Sequence, residues 1–272
     1  MVKLCIIGAG GRMGKAITRC VQAQAVPGLA LSGALDRAQC PDVGADVGMV
    51  AGGVAAGVTI GSDLKAAIEG ADAVIDFSQP TGMTETAQQL AANNIAWVIG
   101  TTGLGKDEQA AVDAASQKIP VVMAPNMSLG VNLLLQLVEE AASALRGRGY
   151  DIEIVERHHR RKKDSPSGTA LGLGQAAARG MEWSLDDVAQ HGRSGVVPGD
   201  RPTEEIGFHA VRGGDFIGDH TVIFAAEGES VELSHRATSR DTFAIGALQA
   251  AQWVAGREPG LYTMRDVLGL QE

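Results

Sequence analysis

From Glu156 to Ala170 the chain reads E-R-H-H-R-R-K-K-D-S-P-S-G-T-A. Two histidines and five Arg or Lys residues fill positions 156–163 behind one glutamate, in a protein of formal net charge -9. Histidine is the side chain that ordinarily titrates near neutrality, so His158 and His159 are candidate proton donors. Lys162 adds a fixed positive charge or a second proton. After Asp164 the run passes Pro166 and opens into Gly168-Thr169 before an alanine-rich stretch. Pro166 suits the first position of a helix with Ser165 as its cap, and Thr169 is the alternative cap. Either way Ser167, Gly168 and Thr169 offer N–H or hydroxyl donors to an anion at a helix N-terminus. A proton donor, concentrated cations and such a helix start suit a small substrate with more than one carboxylate. The bland alternative is a solvated basic patch; the abrupt change to D-S-P-S-G-T-A argues against it. Farther on, Ser234–Arg240 is a second basic segment, and Arg240 is a candidate clamp for a substrate carboxylate. No metal site is read. The histidines show no H-x-x-x-H with a third ligand, and Cys5, Cys20 and Cys40 have no C-x-x-C spacing.

A second chemical signal lies at the start. Gly8, Ala9, Gly10, Gly11, Arg12 and Met13 follow the apolar run 2–7 and lead into a helical stretch from Arg12 to about Ala25. Glycines in that context let backbone approach a pyrophosphate. The spacing is G-x-x-G-x-x-G through Gly14 and departs from strict G-x-G-x-x-G. Asp36, at the end of the second apolar run, is placed to bind an adenine ribose, while Arg37 beside it suits a 2′-phosphate. The pair leaves NADH and NADPH both open. Ligands gather at the carboxyl ends of parallel strands. That rule adds the triplet Gly100, Thr101 and Thr102, the run Ala124, Pro125, Asn126 and Met127, and, as a weaker candidate, the pair Phe77-Ser78.

Buried apolar runs at 73–77, 96–99 and 120–123 alternate with helical patterns up to Asn126. That is the signature of βαβ units and a parallel sheet. Beyond it come a long helix over 129–145, a strand over 151–156 and a helix over 169–179. Three alternating runs follow at 206–212, 220–225 and 230–237, parted by turns at Gly213-Gly214 and at 227–229. They read as antiparallel sheet. The span 181–202 reads as a long loop, 242–255 as helix, and 264–268 as a last short helix. The fold class is α/β: a Rossmann-like dinucleotide-binding domain plus an α+β domain with a mixed or antiparallel sheet. The expected bounds are 1–128 with 241–272 for the first domain, and 129–240 for a substrate-binding and oligomerisation domain.

The 272 residues are 45% hydrophobic and 20% charged, ordinary for a soluble globular protein. No apolar run is long enough for a membrane span. The first residues read as a strand and not as a signal peptide. Three unpatterned cysteines fit a reducing compartment, so a cytoplasmic location is expected. Net acidity argues against general nucleic-acid affinity.

Taken together, G-A-G-G-R-M-G, G-T-T-G, the His-His segment, G-D-H-T-V-I-F and S-H-R-A-T-S-R-D-T-F-A resemble the dihydrodipicolinate reductase family, the 4-hydroxy-tetrahydrodipicolinate reductases of diaminopimelate and lysine biosynthesis. The resemblance spans essentially the whole chain, and the His-His segment is its most specific part. It implies hydride transfer from NADH or NADPH to a cyclic dicarboxylate with loss of water. It implies His158 as proton donor, Lys162 as a second donor, and His159, Gly168 and Thr169 as substrate ligands. It also implies a homotetramer joined through the sheet of the second domain. Two rivals are a dehydrogenase of small amino or hydroxy acids, and a nucleotide-binding redox sensor. The His-His segment disfavours the first and the acidic charge the second.

Overall fold

The computed structural model describes residues 1–196 and 198–270. Residue 197, inside the expected loop 181–202, and residues 271 and 272 lie outside the described residues. The chain divides into two compact units: Met1–Leu129 with Arg240–Glu272, and Gly130–Ser239.

The first unit runs β1 (Val2–Ile7), α1 (Arg12–Gln22), β2 (Leu29–Leu35), α2 (Val47–Val50), β3 (Ile60–Gly61), α3 (Leu64–Ile68), β4 (Ala73–Asp76), α4 (Met83–Asn93), β5 (Ala96–Ile99), α5 (Lys106–Ser116) and β6 (Pro120–Met123). In the second unit come α6 (Leu129–Leu145), β7 (Asp151–His158), α7 (Gly168–Met181), α8 (Leu185–Val188), β8 (Ala189–His191), β9 (Ile206–Arg212), β10 (Gly218–Ala226) and β11 (Glu229–Ala237). The chain then returns to the first unit as α9 (Asp241–Val254), β12 (Gly260–Tyr262) and α10 (Met264–Leu268).

The first sheet has the order β12-β6-β5-β4-β1-β2-β3, with parallel pairing throughout. Both faces are buried, as a parallel sheet requires. The period of two divides each strand between two cores. Ala73 and Ile75 of β4 and Ala96 and Val98 of β5 enter the core with α1 and α9. Val74, Trp97 and Ile99 enter the one with α4 and α5. Helix α9 explains why the C-terminal segment belongs here. Its buried Ala244, Ala247, Leu248 and Ala251 recur at helical spacing and pack toward β4, β5 and β6. Strand β12 was not expected from sequence; three residues, Gly-Leu-Tyr, carry too little pattern to announce a strand.

The second sheet has the order β11-β10-β7-β9-β8 and is mixed. β10 pairs antiparallel with β7 and β11, while β9 pairs parallel with β7 and β8. This corrects the antiparallel reading. The turn at Gly213-Gly214 does not join neighbours, because β7 lies between β9 and β10. The turn before β11 does join neighbours, closing at Ala226↔Glu229. The span 181–202 is not wholly loop either: it holds α8 and the edge strand β8. On β7, Ile152 and Ile154 point into the core beneath α6 and α7. Glu156 and His158 continue that same face, which is how two ionisable side chains come to be buried. Among the described residues no helix is long and apolar enough to cross a membrane.

Close approach of α1 to the end of β1 depends on Gly14. A methyl there would lie 2.4 Å from the carbonyl oxygen of Gly8 and 2.6 Å from the Ala9 Cα. Overpacking of this kind typically costs about 1–3 kcal/mol. Gly14→Ala is therefore expected to lower the urea unfolding midpoint; a wild-type midpoint would show that α1 has room to move away.

Candidate active site

In the first unit, the turn from β1 to α1 is bound to the end of β2. Gly8 N–H and Ala9 N–H both donate to Leu35 O, at 2.9 and 3.0 Å. Gly10 N–H donates to Asp36 Oδ2 at 2.8 Å, and Arg37 N–H to Asp36 Oδ1 at 2.8 Å. Gly11 is the N-cap of α1, and no side chain caps the helix. An uncapped helix start framed by glycines, with a carboxylate held at the next strand end, fits a dinucleotide pyrophosphate and its ribose. A cavity of about 340 Å³ opens beside it, lined by Gly11, Arg12, Met13, Phe77, Ser78, Gln79, Pro80, Gly100, Thr101 and Thr102.

Asp76, fully buried at the end of β4, ties two of these loops together. Its Oδ1 accepts from Ser78 N at 2.9 Å, Ser78 Oγ at 2.6 Å and Thr101 Oγ1 at 3.2 Å. Burial raises the titration of this carboxyl, against those hydrogen bonds. The expected residues Gly11, Arg12, Met13, Phe77, Gly100, Thr101 and Thr102 thus share one cavity. Ala124, Pro125, Asn126 and Met127 follow β6 but do not line it. Ala124 and Met127 are packed in the core with α9, and Asn126 Oδ1 accepts from Ser128 N–H. Ser78, expected beside Phe77, lines the cavity as well, while Gln79, Pro80 and Asp76 were missed as members of this site. The rule that ligands gather at strand ends stopped too early after β4.

In the second unit, β7 supplies the chemistry and its neighbours complete it. Glu156 is 1% exposed and His158 7% exposed. His158 Nδ1 lies 2.5 Å from Glu156 Oε2. Arg212, opposite His158 on β9, grips the same carboxylate with two nitrogens, at 2.7 Å to Oε2 and 2.6 Å to Oε1. Ser167 N–H adds a bond to Oε1 at 3.0 Å. Burial pushes the Glu156 carboxyl up, but the bonds from His158, Arg212 and Ser167 outweigh it and bring it down to about 2. His220, opposite Glu156 on β10, meets His158 edge to face with ring centres 5.1 Å apart. Burial, and next the charge of His158, push His220 down to about 3. Its ring is therefore neutral at physiological pH.

Helix α7 begins against this cluster. Its N-cap is Ser167, whose Oγ accepts from Ala170 N–H at 3.2 Å. The same Oγ lies 3.2 Å from His220 Nε2. Neither Ser165 nor Thr169 is the cap: Pro166 lies before the helix and Gly168 is its first residue. Lys162 pairs with Asp164 at 2.9 Å on the loop after β7. His159 N–H donates to Phe216 O, which holds that loop near the start of β10. Arg240 is exposed at the N-cap of α9, in the first unit. Glu156, Arg212 and His220 were missed as site residues. Glu156 was readable, since a spacing of two on a strand puts it on the face of His158. Arg212 and His220 depend on strand order.

A doubly wound parallel sheet with a glycine turn before its first helix, followed by a unit with a buried His–Glu pair, defines a dinucleotide-binding oxidoreductase. Comparison narrows the class. The family model described as dihydrodipicolinate reductase, N-terminus, matches residues 2–127, and that of the C-terminus matches 130–268. The 4-hydroxy-tetrahydrodipicolinate reductase of Anaeromyxobacter dehalogenans is 50% identical, over 100% of this chain and 99% of that one. Its namesake from Thiobacillus denitrificans is 52% identical, over 99% of each. In fold, the chain matches a dipicolinate-bound dihydrodipicolinate reductase from Paenisporosarcina with a TM-score of 0.76, at 24% identity and 97% coverage of both. The chain belongs to the dihydrodipicolinate reductase family.

Removing one partner of a buried ion pair strands the other, at a cost of about 3–5 kcal/mol. Arg212→Met should lose about that much in urea unfolding at pH 7; a loss below about 1 kcal/mol would show that water takes over the arginine's role. Glu156 also sets a pH signature. Its carboxyl titrates at about 2 when folded, against an ordinary 4.5. Its contribution is complete above about pH 5 and is lost as pH falls toward 2. The stability gap between wild type and Glu156→Gln should shrink over that window, and a gap that stays constant would contradict the depressed titration.

Proposed function

We propose that the protein reduces 4-hydroxy-tetrahydrodipicolinate to tetrahydrodipicolinate with loss of water, in diaminopimelate and lysine biosynthesis, using NADH or NADPH. The observation that carries this reading is His158, at the end of β7 where a cation-rich loop begins, held by a buried carboxylate next to the N-terminus of α7. That is the equipment for delivering one proton to a small dicarboxylate. Family membership supplies the substrate class.

The chain's own groups divide the work. The first turn of α7, Gly168 and Thr169, offers the positive end of the helix to a substrate carboxylate. Ser167, His159 and Arg240 are the further ligands of this reading. Cations around the ring draw electron density from the conjugated C=C and C=N left after water departs. A bound reduced nicotinamide supplies the hydride. His158 then gives its proton to the carbon adjacent to the one reduced, and Lys162 assists as a second donor. In the first unit, Gly8 to Met13 cradle the pyrophosphate, Asp36 and Arg37 hold the adenosine end, and Phe77 with Gly100–Thr102 hold the nicotinamide end. Ala124–Met127 complete that ligand set in the same reading. A cytoplasmic homotetramer, joined through the second sheet, belongs to it as well.

The test generates the substrate from pyruvate and aspartate semialdehyde with its synthase and follows loss of NADH and NADPH separately. His158→Gln should reduce kcat about 10²–10⁴-fold with cofactor binding intact; an unchanged kcat would remove His158 from the reaction. Arg37→Ala should weaken NADPH about 10-fold or more while sparing NADH, because a charge-assisted bond to a phosphate is lost. Equal effects on the two cofactors would place Arg37 away from the 2′-phosphate.

A further inference from the structure

We propose that Glu156 is a positioning residue for the reaction: it fixes the proton of His158 on Nδ1, leaves Nε2 as the nitrogen that meets the substrate, and anchors the start of α7 with the same carboxylate. This rests on the reductase reading above.

The first step is a matter of hydrogen-bond accounting. Four donors converge on one carboxylate: His158 Nδ1, the two terminal nitrogens of Arg212, and Ser167 N–H. An ionised carboxylate only accepts, and an arginine does not give up its protons. Nδ1 at 2.5 Å must therefore carry a hydrogen whether the ring is charged or neutral. The proton that His158 gains and loses is then the one on Nε2. No hydrogen bond holds Nε2 among the described residues.

A second observation points the same way. Gly218, the first residue of β10, sits against that nitrogen. A Cβ on it would lie 3.0 Å from His158 Nε2 and 3.6 Å from His220 Cε1. Its φ lies outside the left-handed region, so backbone conformation does not demand glycine there. What glycine provides is an uncovered Nε2.

The third observation concerns α7. Glu156 Oε1 binds the backbone N–H of Ser167, the cap of the helix whose first turn is the proposed carboxylate site. One side chain thus sets both the proton donor and the anion site. The charged and titratable groups around the paired His158 and His220 rings are Glu156 on β7, Arg212 from β9, His235 opposite His220 on β11, and Lys162 on the loop after β7. Glu156 is the acidic member of this set and the one bonded to the His158 ring.

Two measurements test the proposal. In wild-type protein labelled with ¹⁵N-histidine, Nδ1 of His158 should show the chemical shift of a protonated nitrogen in the neutral ring as in the charged one. An Nε2–H neutral form would overturn the assignment, with no variant needed. In kinetics, Glu156→Gln should lose about 10²-fold or more in kcat while its NADH Kd stays within about twofold of wild type. Glu156→Asp should recover part of the kcat. A folded Glu156→Gln with wild-type kcat would refute the positioning role while leaving the reductase reading intact. Wild type that binds NADH yet never oxidises it with substrate would count against the reductase reading, and the ¹⁵N shifts would still decide the tautomer.

Discussion

A carboxylate buried among hydrogen-bond donors holds the second unit's site together. Glu156 would be an expensive residue to bury alone, since an uncompensated charge in a protein interior costs several kcal/mol. It is tolerated because the bidentate Arg212, the His158 ring and the Ser167 N–H surround it. Those partners come from β9, from β7 itself and from the N-cap of α7. Strand order, helix start and the His158 ring therefore meet at one pair of oxygens. The register that puts Arg212 opposite His158 and His220 opposite Glu156 is a condition for this cluster, and not only for the fold.

The first unit solves a different problem with a similar economy. A negatively charged cofactor needs backbone N–H groups and few side chains in the way. Glycines at the turn after β1 and an uncapped α1 supply this, while Asp36 braces the turn through Gly10 N–H. Asp76 does the corresponding work one strand over, holding Ser78 and Thr101 at adjacent strand ends. In both units a carboxylate binds the backbone or side chains that line a site.

What the sequence disclosed follows from the range over which each feature is determined. The glycine turn, the parallel strands and the His-His segment are local, and each was legible. The period of two on β7 was equally local, and it made Glu156 readable beside His158. Arg212 and His220 were not readable, because alternation along β9 and β10 does not say that both flank β7. The cap of α7 went to Ser167 because Glu156 fixes its N–H, a contact across 11 positions. Edge strands β8 and β12, of three residues each, fell below what a pattern can announce. Ala124 and Met127 sit at a strand end, as the rule for ligand sites expects, yet both are buried in packing against α9.

In the proposed reaction this chain passes a hydride from a reduced nicotinamide to a small unsaturated ring. The most direct measurement supplies NADH with deuterium at its transferable position, in ordinary water, together with freshly generated 4-hydroxy-tetrahydrodipicolinate. Mass spectrometry of the product after a single turnover then reads the transfer. One deuterium on a ring carbon is the predicted result. Oxidised cofactor with no deuterium in the ring, or a ring left unreduced by enzyme that has bound the cofactor, would contradict it.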